Sequence, residues 1–258
     1  MKHLVICMKW GDFFGPEYVN LLFRASRHYL DIPFDFVCMT ENQSGLDSGI
    51  TVKPLPDLGL GPDYWKAGGW PKISVFKPGL VPDDTRVLFM DIDTVITGNM
   101  DDMFKTGPGV AMVNEWPRLA DYLNPFRPQK QLSGVFSFDG GNETEIYEKF
   151  IANPAAARDK YRIEQYFIAG NASRLNTFPD GWVLSFKRHL FPPHLGVRDG
   201  ASVPEPPQNA RILLFHGHPR PVELAQEGLW GKRFRYGRGA VPFIRDYWLK
   251  FGIEPPLP

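Results

Sequence analysis

Two aspartates one residue apart, Asp91 and Asp93, lie in the stretch VLFMDIDTVITG that covers residues 87–98. The four residues before the pair are large and apolar, which predicts a buried strand that ends at the first carboxylate. In an extended chain successive side chains alternate between faces, so both carboxylates point to the same side. Like charges this close repel each other unless a positive group lies between them. Because hard divalent cations take oxygen ligands of this kind, often shared with substrate phosphates, the pair indicates a Mg²⁺ or Mn²⁺ site.

A second group of polar side chains follows another short apolar run near the end of the chain. In ILLFHGHPRP, residues 212–221, four apolar residues lead to His216, and Arg220 comes shortly after it. An imidazole ligand added to two carboxylates suits Mn²⁺ better than Mg²⁺. A guanidinium at this place could bind phosphate oxygens. The alternative is a structural histidine at the end of a strand.

The composition excludes some classes of partner. The 258 residues carry 29 basic and 29 acidic side chains, so the formal net charge is zero and a general nucleic-acid binder is not expected. Cys7 and Cys38 lie in apolar runs, and two buried free thiols in a reducing compartment are expected rather than a disulfide.

The sequence also predicts where the protein works. No stretch approaches the roughly 20 apolar residues of a membrane span, and the first apolar run is too short for a signal peptide. We therefore expect a cytoplasmic protein, with the inner face of the membrane as an alternative. The basic and aromatic segment GKRFRYGRG, residues 231–239, could make weak peripheral contact with an anionic membrane surface. A solvated segment is the other interpretation.

Apolar periodicity predicts the elements that must position these side chains. Strands are predicted over 3–8, 34–39, 50–52, 86–90, 109–114, 134–138, 183–186 and 211–215. Helices are predicted over about 18–30, 73–80, 142–152, 160–169 and 242–250, with a loop over 54–71. Strands that alternate with helices are typical of an α/β sandwich on a mostly parallel sheet. Ligands bind such sheets beyond the carboxyl ends of the strands, where the acidic pair lies.

Five motifs occur in the order found in glycogenin-like glycosyltransferases of the GT-A type, and the chain resembles that group over most of residues 1–221. They are Lys72 in GWPKISVF, the acidic pair in LFMDIDTVI, LSGVFSFDGG (132–141), Glu164-Gln165 in IEQYF and His216 in FHGHPRP. The resemblance implies a GT-A, Rossmann-like α/β fold with a mostly parallel central sheet flanked by helices. It implies a single domain over 1–258, with a nucleotide-binding part at about 1–100, an acceptor-side part at about 101–221 and a C-terminal extension at 222–258.

The resemblance also implies roles for the polar residues. Asp91, Asp93 and His216 would hold Mn²⁺, or Mg²⁺, on the diphosphate of a nucleotide sugar. Lys72 would reach the phosphates or the sugar, and Arg220 would neutralise the diphosphate as it leaves.

Three further candidates follow the first strand, where members of the group bind the nucleotide base: Lys9, Trp10 and Asp12. Gln165 or Glu164 would stabilise the positive face of the reacting sugar, which acquires oxocarbenium character. The loop over 62–71 contains Gly68 and Gly69, which allow it to close over the donor.

The sequence therefore predicts a metal-dependent glycosyltransferase that moves a sugar from a nucleotide sugar, with a UDP-sugar favoured, to a hydroxyl of a glycan or lipid-linked acceptor. The resemblance favours retention of anomeric configuration. An inverting enzyme would need a carboxylate to activate the acceptor, and Glu115 and Asp121 are the candidates. Two alternatives remain. One is a sugar-nucleotide nucleotidyltransferase, although the loop KWGDFFG lacks the Gly-rich, basic character typical of that class. The other is a non-catalytic protein that binds nucleotide sugars or glycans.

Overall fold

A seven-stranded mixed sheet forms the centre of the computed structural model, which describes residues 1–66, 69–116, 129–191, 198–232 and 236–256. The strands in chain order are β1 (Lys2–Lys9), β2 (Asp35–Thr40), β3 (Thr51–Lys53), β4 (Thr85–Met90), β5 (Val95–Ile96), β6 (Val110–Asn114), β7 (Gln131–Asp139), β8 (Leu175–Thr177), β9 (Val183–Ser185) and β10 (Ile212–Leu214). The large sheet has the order β3–β2–β1–β4–β7–β6–β8.

In the large sheet, all strands but one run in the same direction. β1 pairs in parallel with β2 and β4, β2 pairs in parallel with β3, and β6 pairs in parallel with β8. Only β7 is reversed, because it is antiparallel to both β4 and β6. The mostly parallel central sheet predicted from the sequence is confirmed. The carboxyl ends of β1 and β4 therefore lie together at one edge.

Helices flank the sheet. They are α1 (Pro16–Tyr29), α2 (Pro62–Lys66), α3 (Thr144–Ala152), α4 (Pro154–Tyr161), α5 (Glu164–Asn171), α6 (Pro221–Leu224) and α7 (Pro242–Lys250), and a 3₁₀ segment covers Trp70–Phe76. Successive residues of β1 face opposite sides, so Cys7 joins the core cluster that contains α1 and α7, whereas Ile6 joins the cluster that contains α3 and α5. None of the helices in the described ranges is both long enough and apolar enough to cross a membrane.

The two cysteines lie opposite each other on neighbouring strands. Cys7 of β1 is in register with Cys38 of β2, and both are buried and unoxidised. Burial, followed by the hydrogen bond and the charge of Cys38, raises the pKa of the Cys7 thiol. The prediction of two buried free thiols is confirmed.

A second sheet of three strands, in the order β5–β10–β9, was not predicted from the sequence. β10 is antiparallel to β5 and parallel to β9, with Leu213 opposite Val95. Because β5 begins two residues after Asp93, this pairing places the end of β10 beside the acidic pair. A strand of two residues is too short to give a periodic pattern, which is why β5 was missed.

The helix predicted over 160–169 is present from Glu164 onward, but its predicted start is wrong. α4 ends at Tyr161 and α5 begins only at Glu164. Arg162 lies between them with φ of 65°, in the left-handed region, and Ile163 is extended. This break turns the chain so that Glu164 becomes the first residue of α5.

Aromatic packing under the large sheet predicts that substitutions at two neighbouring residues of α3 have very different effects on the free energy of unfolding. Phe150 is fully buried, stacked on Trp70 with 5.3 Å between ring centroids, and it packs edge-on against Phe167. We expect Phe150→Ala to lower the free energy of unfolding by about 3–5 kcal/mol, because it removes these contacts and leaves a cavity. Urea denaturation followed by circular dichroism measures this loss.

The neighbouring Ile151, which is 38% exposed, is the matched control. Ile151→Ala should change the same free energy by less than about 1 kcal/mol. Equal losses from the two substitutions would contradict this description of the core.

Candidate active site

A cavity of about 560 Å³ lies beyond the carboxyl ends of β1 and β4. Six of the residues that line it are candidates from the sequence, namely Lys9, Trp10, Lys72, Asp91, Asp93 and Arg220. Aromatic residues and glycines contribute further wall: Phe13, Phe14, Trp65, Gly69 and Gly217. A cleft at this edge of an α/β sheet, with charges of both signs, is suited to binding a charged ligand.

The acidic pair is held by the turn that ends β4. The backbone N–H of Asp91 donates to the Gly134 carbonyl over 2.8 Å, which continues the pairing with β7. Thr94 donates both its backbone N–H and its hydroxyl to the Asp91 carbonyl, at 3.2 and 2.9 Å. Ile92 between the two aspartates is buried in the core. Both carboxylates face the same cavity, but they do so from a turn and not from an extended strand, and Ile92 also lines it.

A lysine from the 3₁₀ segment lies between two carboxylates. Lys72 Nζ donates to Asp91 Oδ2 over 2.8 Å and lies 3.6 Å from Glu164 Oε1. Burial acts to lower the pKa of Lys72, but the charges of Asp91 and Glu164 outweigh it and raise that pKa. Lys72 therefore remains an ammonium group at the floor of the cavity.

The electrostatics of the acidic pair favour an added positive charge. Burial and, after it, the charge of Asp91 raise the pKa of Asp93 to about 7, although Lys72 and Arg220 act in the opposite direction. Burial also raises the pKa of Asp91, against the effect of Lys72. The cations of this chain thus compensate the two carboxylates only in part.

Arg220 enters the cavity from the turn after β10. Its guanidinium carbon lies 4.1 Å from the ring centroid of Phe13 and 5.2 Å from that of Phe14. Within the described ranges, its Nε and Nη1 are buried and have no hydrogen-bond partner. Buried N–H groups are normally paired, so these two donors are available to an acceptor from water or from a ligand.

The three candidates after β1 differ in position. Lys9 is buried, lines the cavity and donates to the Gly11 carbonyl over 3.1 Å. Trp10 lines the cavity and donates its indole N–H to the Trp65 carbonyl, also over 3.1 Å. Asp12 is exposed and is not among the lining residues described.

His216 lies at the exposed rim rather than in the wall of the cavity. Its backbone carbonyl accepts a hydrogen bond from Lys187, its ring lies 5.8 Å from that of Trp116, and the next residue, Gly217, lines the cavity. Partial desolvation and, after it, the charges of Lys187 and Arg188 lower the pKa of His216 to about 4. In the described ranges, no three His, Cys, Asp or Glu side chains are gathered closely enough to hold a metal ion.

The acidic residue that begins α5 lies behind Lys72. Glu164 is 5% exposed, and its Oε1 accepts the Ser133 hydroxyl over 2.6 Å. Burial raises the pKa of Glu164, against the effects of Lys72 and of the Ser133 hydrogen bond. Gln165 is half-buried and is not among the lining residues described.

The two carboxylates considered for an inverting enzyme are not at the acidic pair. Glu115 lines a separate cavity of about 390 Å³ together with Trp116, Asp180 and His189. Asp121 lies outside the described residues, as does Gly68 of the predicted closing loop. Gly69 is described and has φ of 61°, a left-handed conformation that favours glycine.

Several residues of the site were not singled out from the sequence. Phe13 and Phe14 lie in the loop where only Lys9, Trp10 and Asp12 were predicted to bind the base. Ser133 occurs in the motif LSGVFSFDGG, but no role was predicted for it. Phe13 is 70% exposed, and this exposure is visible only in the structure. No sequence signal could have indicated that Ser133 binds Glu164, because the two residues are 31 positions apart.

The raised pKa of Asp93 predicts that its charge destabilises the ligand-free protein. Between its ordinary value of 3.8 and about 7, the folded state binds a proton that the unfolded state has released, so stability falls as the pH rises through this range. We expect Asp93→Asn to raise the melting temperature at pH 8 by more than about 2 °C, the shift that 1 kcal/mol produces in a domain of this size. The difference should vanish near pH 3.5, and thermal unfolding across pH 3.5–8 measures it.

Asp12→Asn is the control, because it removes the same charge from an exposed position. It should leave the melting temperature within about 1 °C of the unaltered protein. A lower melting temperature for Asp93→Asn at pH 8 would contradict the proposed electrostatic cost.

No protein-family model matches this chain, and no curated protein sequence matches it. Its fold is nevertheless that of several solved glycosyltransferases. The galactosyltransferase LgtC, in complex with donor and acceptor sugar analogues, is 10% identical with a TM-score of 0.62, over 99% of this chain and 97% of LgtC. The bifunctional WbbM is 11% identical with a TM-score of 0.59, over 98% of this chain and 50% of WbbM. GlyE of Streptococcus pneumoniae TIGR4 is 14% identical with a TM-score of 0.53, over 97% of this chain and 64% of GlyE. The chain therefore has the GT-A type fold that the order of its motifs predicted.

Proposed function

We propose that this protein is a glycosyltransferase that moves a sugar from a nucleoside diphosphate sugar to an acceptor hydroxyl with the help of a divalent cation. The observation that carries the proposal is the charge pattern of the cavity. Two partly compensated carboxylates face the cavity from β4, and an arginine with unpaired donors faces it from the turn after β10. A cation together with a diphosphate supplies both of the charges that these groups lack.

The acidic pair fits a divalent cation by its chemistry. Asp91 and Asp93 offer carboxylate oxygens on a rigid turn, the ligand type that Mn²⁺ and Mg²⁺ prefer. When bound, such a cation stabilises the negative charge that develops on the departing diphosphate. His216 remains the predicted third ligand, and from the exposed rim its side chain would have to turn toward the pair.

The cations of the cavity would bind the diphosphate. Arg220 presents two unpaired donors, a suitable arrangement for phosphate oxygens. Lys72, on the cavity floor, would reach the phosphates or the sugar. Lys9 and Trp10 would contact the nucleotide base from the wall after β1, with Asp12 at its exposed end.

Residues at the start of α5 would act on the sugar that is transferred. Glu164 or Gln165 would stabilise the positive charge on the sugar ring as its bond to phosphate breaks. We propose retention of configuration, which the resemblance to the glycogenin-like group supports and which requires no general base from the acceptor side. Inversion would instead assign a base to Glu115 or Asp121.

The likeness in fold also supports a proposal for the classes of donor and acceptor. LgtC was solved with donor and acceptor sugar analogues, and we propose a UDP-sugar donor and a glycan or lipid-linked acceptor for this chain. The free thiols Cys7 and Cys38 support work in the cytoplasm. The segment 231–239 is proposed to touch the inner membrane face at most weakly.

Loss of either carboxylate should abolish donor breakdown. The protein is incubated with a panel of nucleotide sugars and Mn²⁺, and release of nucleoside diphosphate is measured. We expect Asp91→Asn and Asp93→Asn to slow this release at least about 100-fold, because charge stabilisation of a leaving group contributes several kcal/mol. Both variants should remain folded by circular dichroism.

Asp102→Asn is the matched control, because Asp102 lies outside the cavity and binds Arg211 and Lys105. Near-normal release in the Asp93 variant would rule out the metal role. Pyrophosphate formed from a nucleoside triphosphate and a sugar phosphate would identify the nucleotidyltransferase instead. Binding of nucleotide sugars without any breakdown would identify the non-catalytic protein.

Loss of the Arg220 guanidinium should weaken diphosphate binding. We expect Arg220→Met to raise the Kd for UDP in the presence of Mn²⁺ by about tenfold or more, because it removes charge-assisted hydrogen bonds. Isothermal titration calorimetry measures the change. Arg245→Met, on the exposed face of α7, should leave the Kd unchanged. Equal Kd values for the Arg220 variant and the unaltered protein would remove Arg220 from the site.

A further inference from the structure

Ser133 lies behind the cavity and forms a hydrogen bond to Glu164. Glu164 and Asp91 are the two carboxylates next to Lys72. Ser133 is 2% exposed, and its hydroxyl donates to Glu164 Oε1 over 2.6 Å. Its backbone carbonyl accepts a longer hydrogen bond from Lys72 Nζ, at 3.4 Å. Ser133 therefore contacts both partners of the Lys72–Glu164 pair, and neither the sequence motifs nor the proposed function gives it a role.

The hydroxyl is the group that fixes the orientation of the Glu164 carboxylate. Oε1 lies 2.6 Å from Ser133 Oγ but 3.6 Å from Lys72 Nζ, so the serine bond is the shorter of the two. The carboxylate also packs directly against Gly69, where a Cβ would lie only 2.6 Å from Oε1, so this close approach requires a glycine. Once the hydroxyl is removed, Lys72 remains as a polar partner of Oε1.

The orientation of the Glu164 carboxylate matters when a cation takes the place of Lys72 as the partner of Asp91. In the ligand-free protein the closest carboxylate to Lys72 is that of Asp91, at 2.8 Å. A divalent cation bound to Asp91 would compete with this contact, because both positive groups use the same carboxylate. Glu164 is then the remaining counter-ion of Lys72 at the cavity floor.

We propose that Ser133 is a positioning residue that holds the Glu164 carboxylate against Lys72, so that the ammonium keeps its place when Asp91 binds a cation. The proposal rests on the proposed function for its consequence in ligand binding, but its geometric part concerns only residues of this chain. Ser133 acts through Glu164 and touches neither the cation nor the sugar nucleotide.

The geometric part is tested without any ligand. Lysines are acylated with acetic anhydride at pH 8, and the rates at Lys72 and Lys9 are followed by peptide mass spectrometry. Glu164→Gln removes the second counter-ion of Lys72 and should speed its acylation at least about threefold, because a less compensated ammonium group loses its proton more readily. Ser133→Ala should change the rate in the same direction. Lys9, equally buried in the same cavity, should keep its rate and so excludes general unfolding.

The consequence is tested by the Kd for UDP with Mn²⁺. Ser133→Ala should raise this Kd by about fivefold to tenfold, the size expected for the loss of one ordinary hydrogen bond. In the Glu164→Gln background the same substitution should change neither the Kd nor the Lys72 rate, because the charge that Ser133 positions is already gone. Ser137→Ala is the control, since Ser137 is buried on the same strand and binds Arg86 and Thr106 instead.

Each outcome decides one question. An unchanged Lys72 rate in Ser133→Ala, or an effect that persists in the Glu164→Gln background, would overturn the positioning role. Failure of the unaltered protein to bind any nucleoside diphosphate would overturn the proposed function, while the acylation rates would still decide whether Ser133 positions Lys72. Equal effects of Ser133→Ala and Ser137→Ala would reduce both serines to structural residues.

Discussion

The repulsion between the carboxylates of Asp91 and Asp93 is the constraint on which the rest of the site depends. Two like charges stay together where positive groups compensate them and a rigid backbone holds them in place. Here β4 is buried over its whole length between β1 and β7, and the turn after it is bonded to Gly134 and Thr94. The apolar core thus stabilises an arrangement that the charges themselves oppose.

The compensating groups come from separate parts of the chain. Lys72 arrives on a 3₁₀ segment whose Trp70 and Phe76 are buried in the core below, so its backbone is anchored by aromatic packing. Arg220 arrives through β10, which the short strand β5 holds beside the acidic pair. One cation is therefore fixed by the core of the large sheet, whereas the other depends on the small sheet and on contact with Phe13 and Phe14.

Much of this arrangement follows from local sequence, and the remainder depends on contacts between distant residues. The strand that ends at Asp91 was predicted because an uninterrupted apolar run has a single stable use at the centre of a sheet. The position of Lys72 near the pair came from a resemblance of motifs, and the geometry agrees. The break at Arg162 was not predictable, since a left-handed arginine has no signature in the sequence. The rim position of His216 depends on how its ring packs against Trp116, a residue 100 positions earlier.

The pairing of β5 with β10 has a consequence for how this fold can vary. Two pairs of residues, Val95–Leu213 and Ile96–Ile212, and backbone hydrogen bonds from Thr97 and Gly98 to the Arg211 carbonyl join the segment before Arg220 to the residues that follow the carboxylates. The acidic pair and Lys72 are held by the large sheet, whereas Arg220 is held through the small one. The exposed turn over 216–218 is therefore where changes of length or charge disturb the core least, because later residues such as Trp230 and Trp248 are fully buried in it. In a protein with this fold, substitutions that change ligand preference should therefore disturb the core least near Arg220.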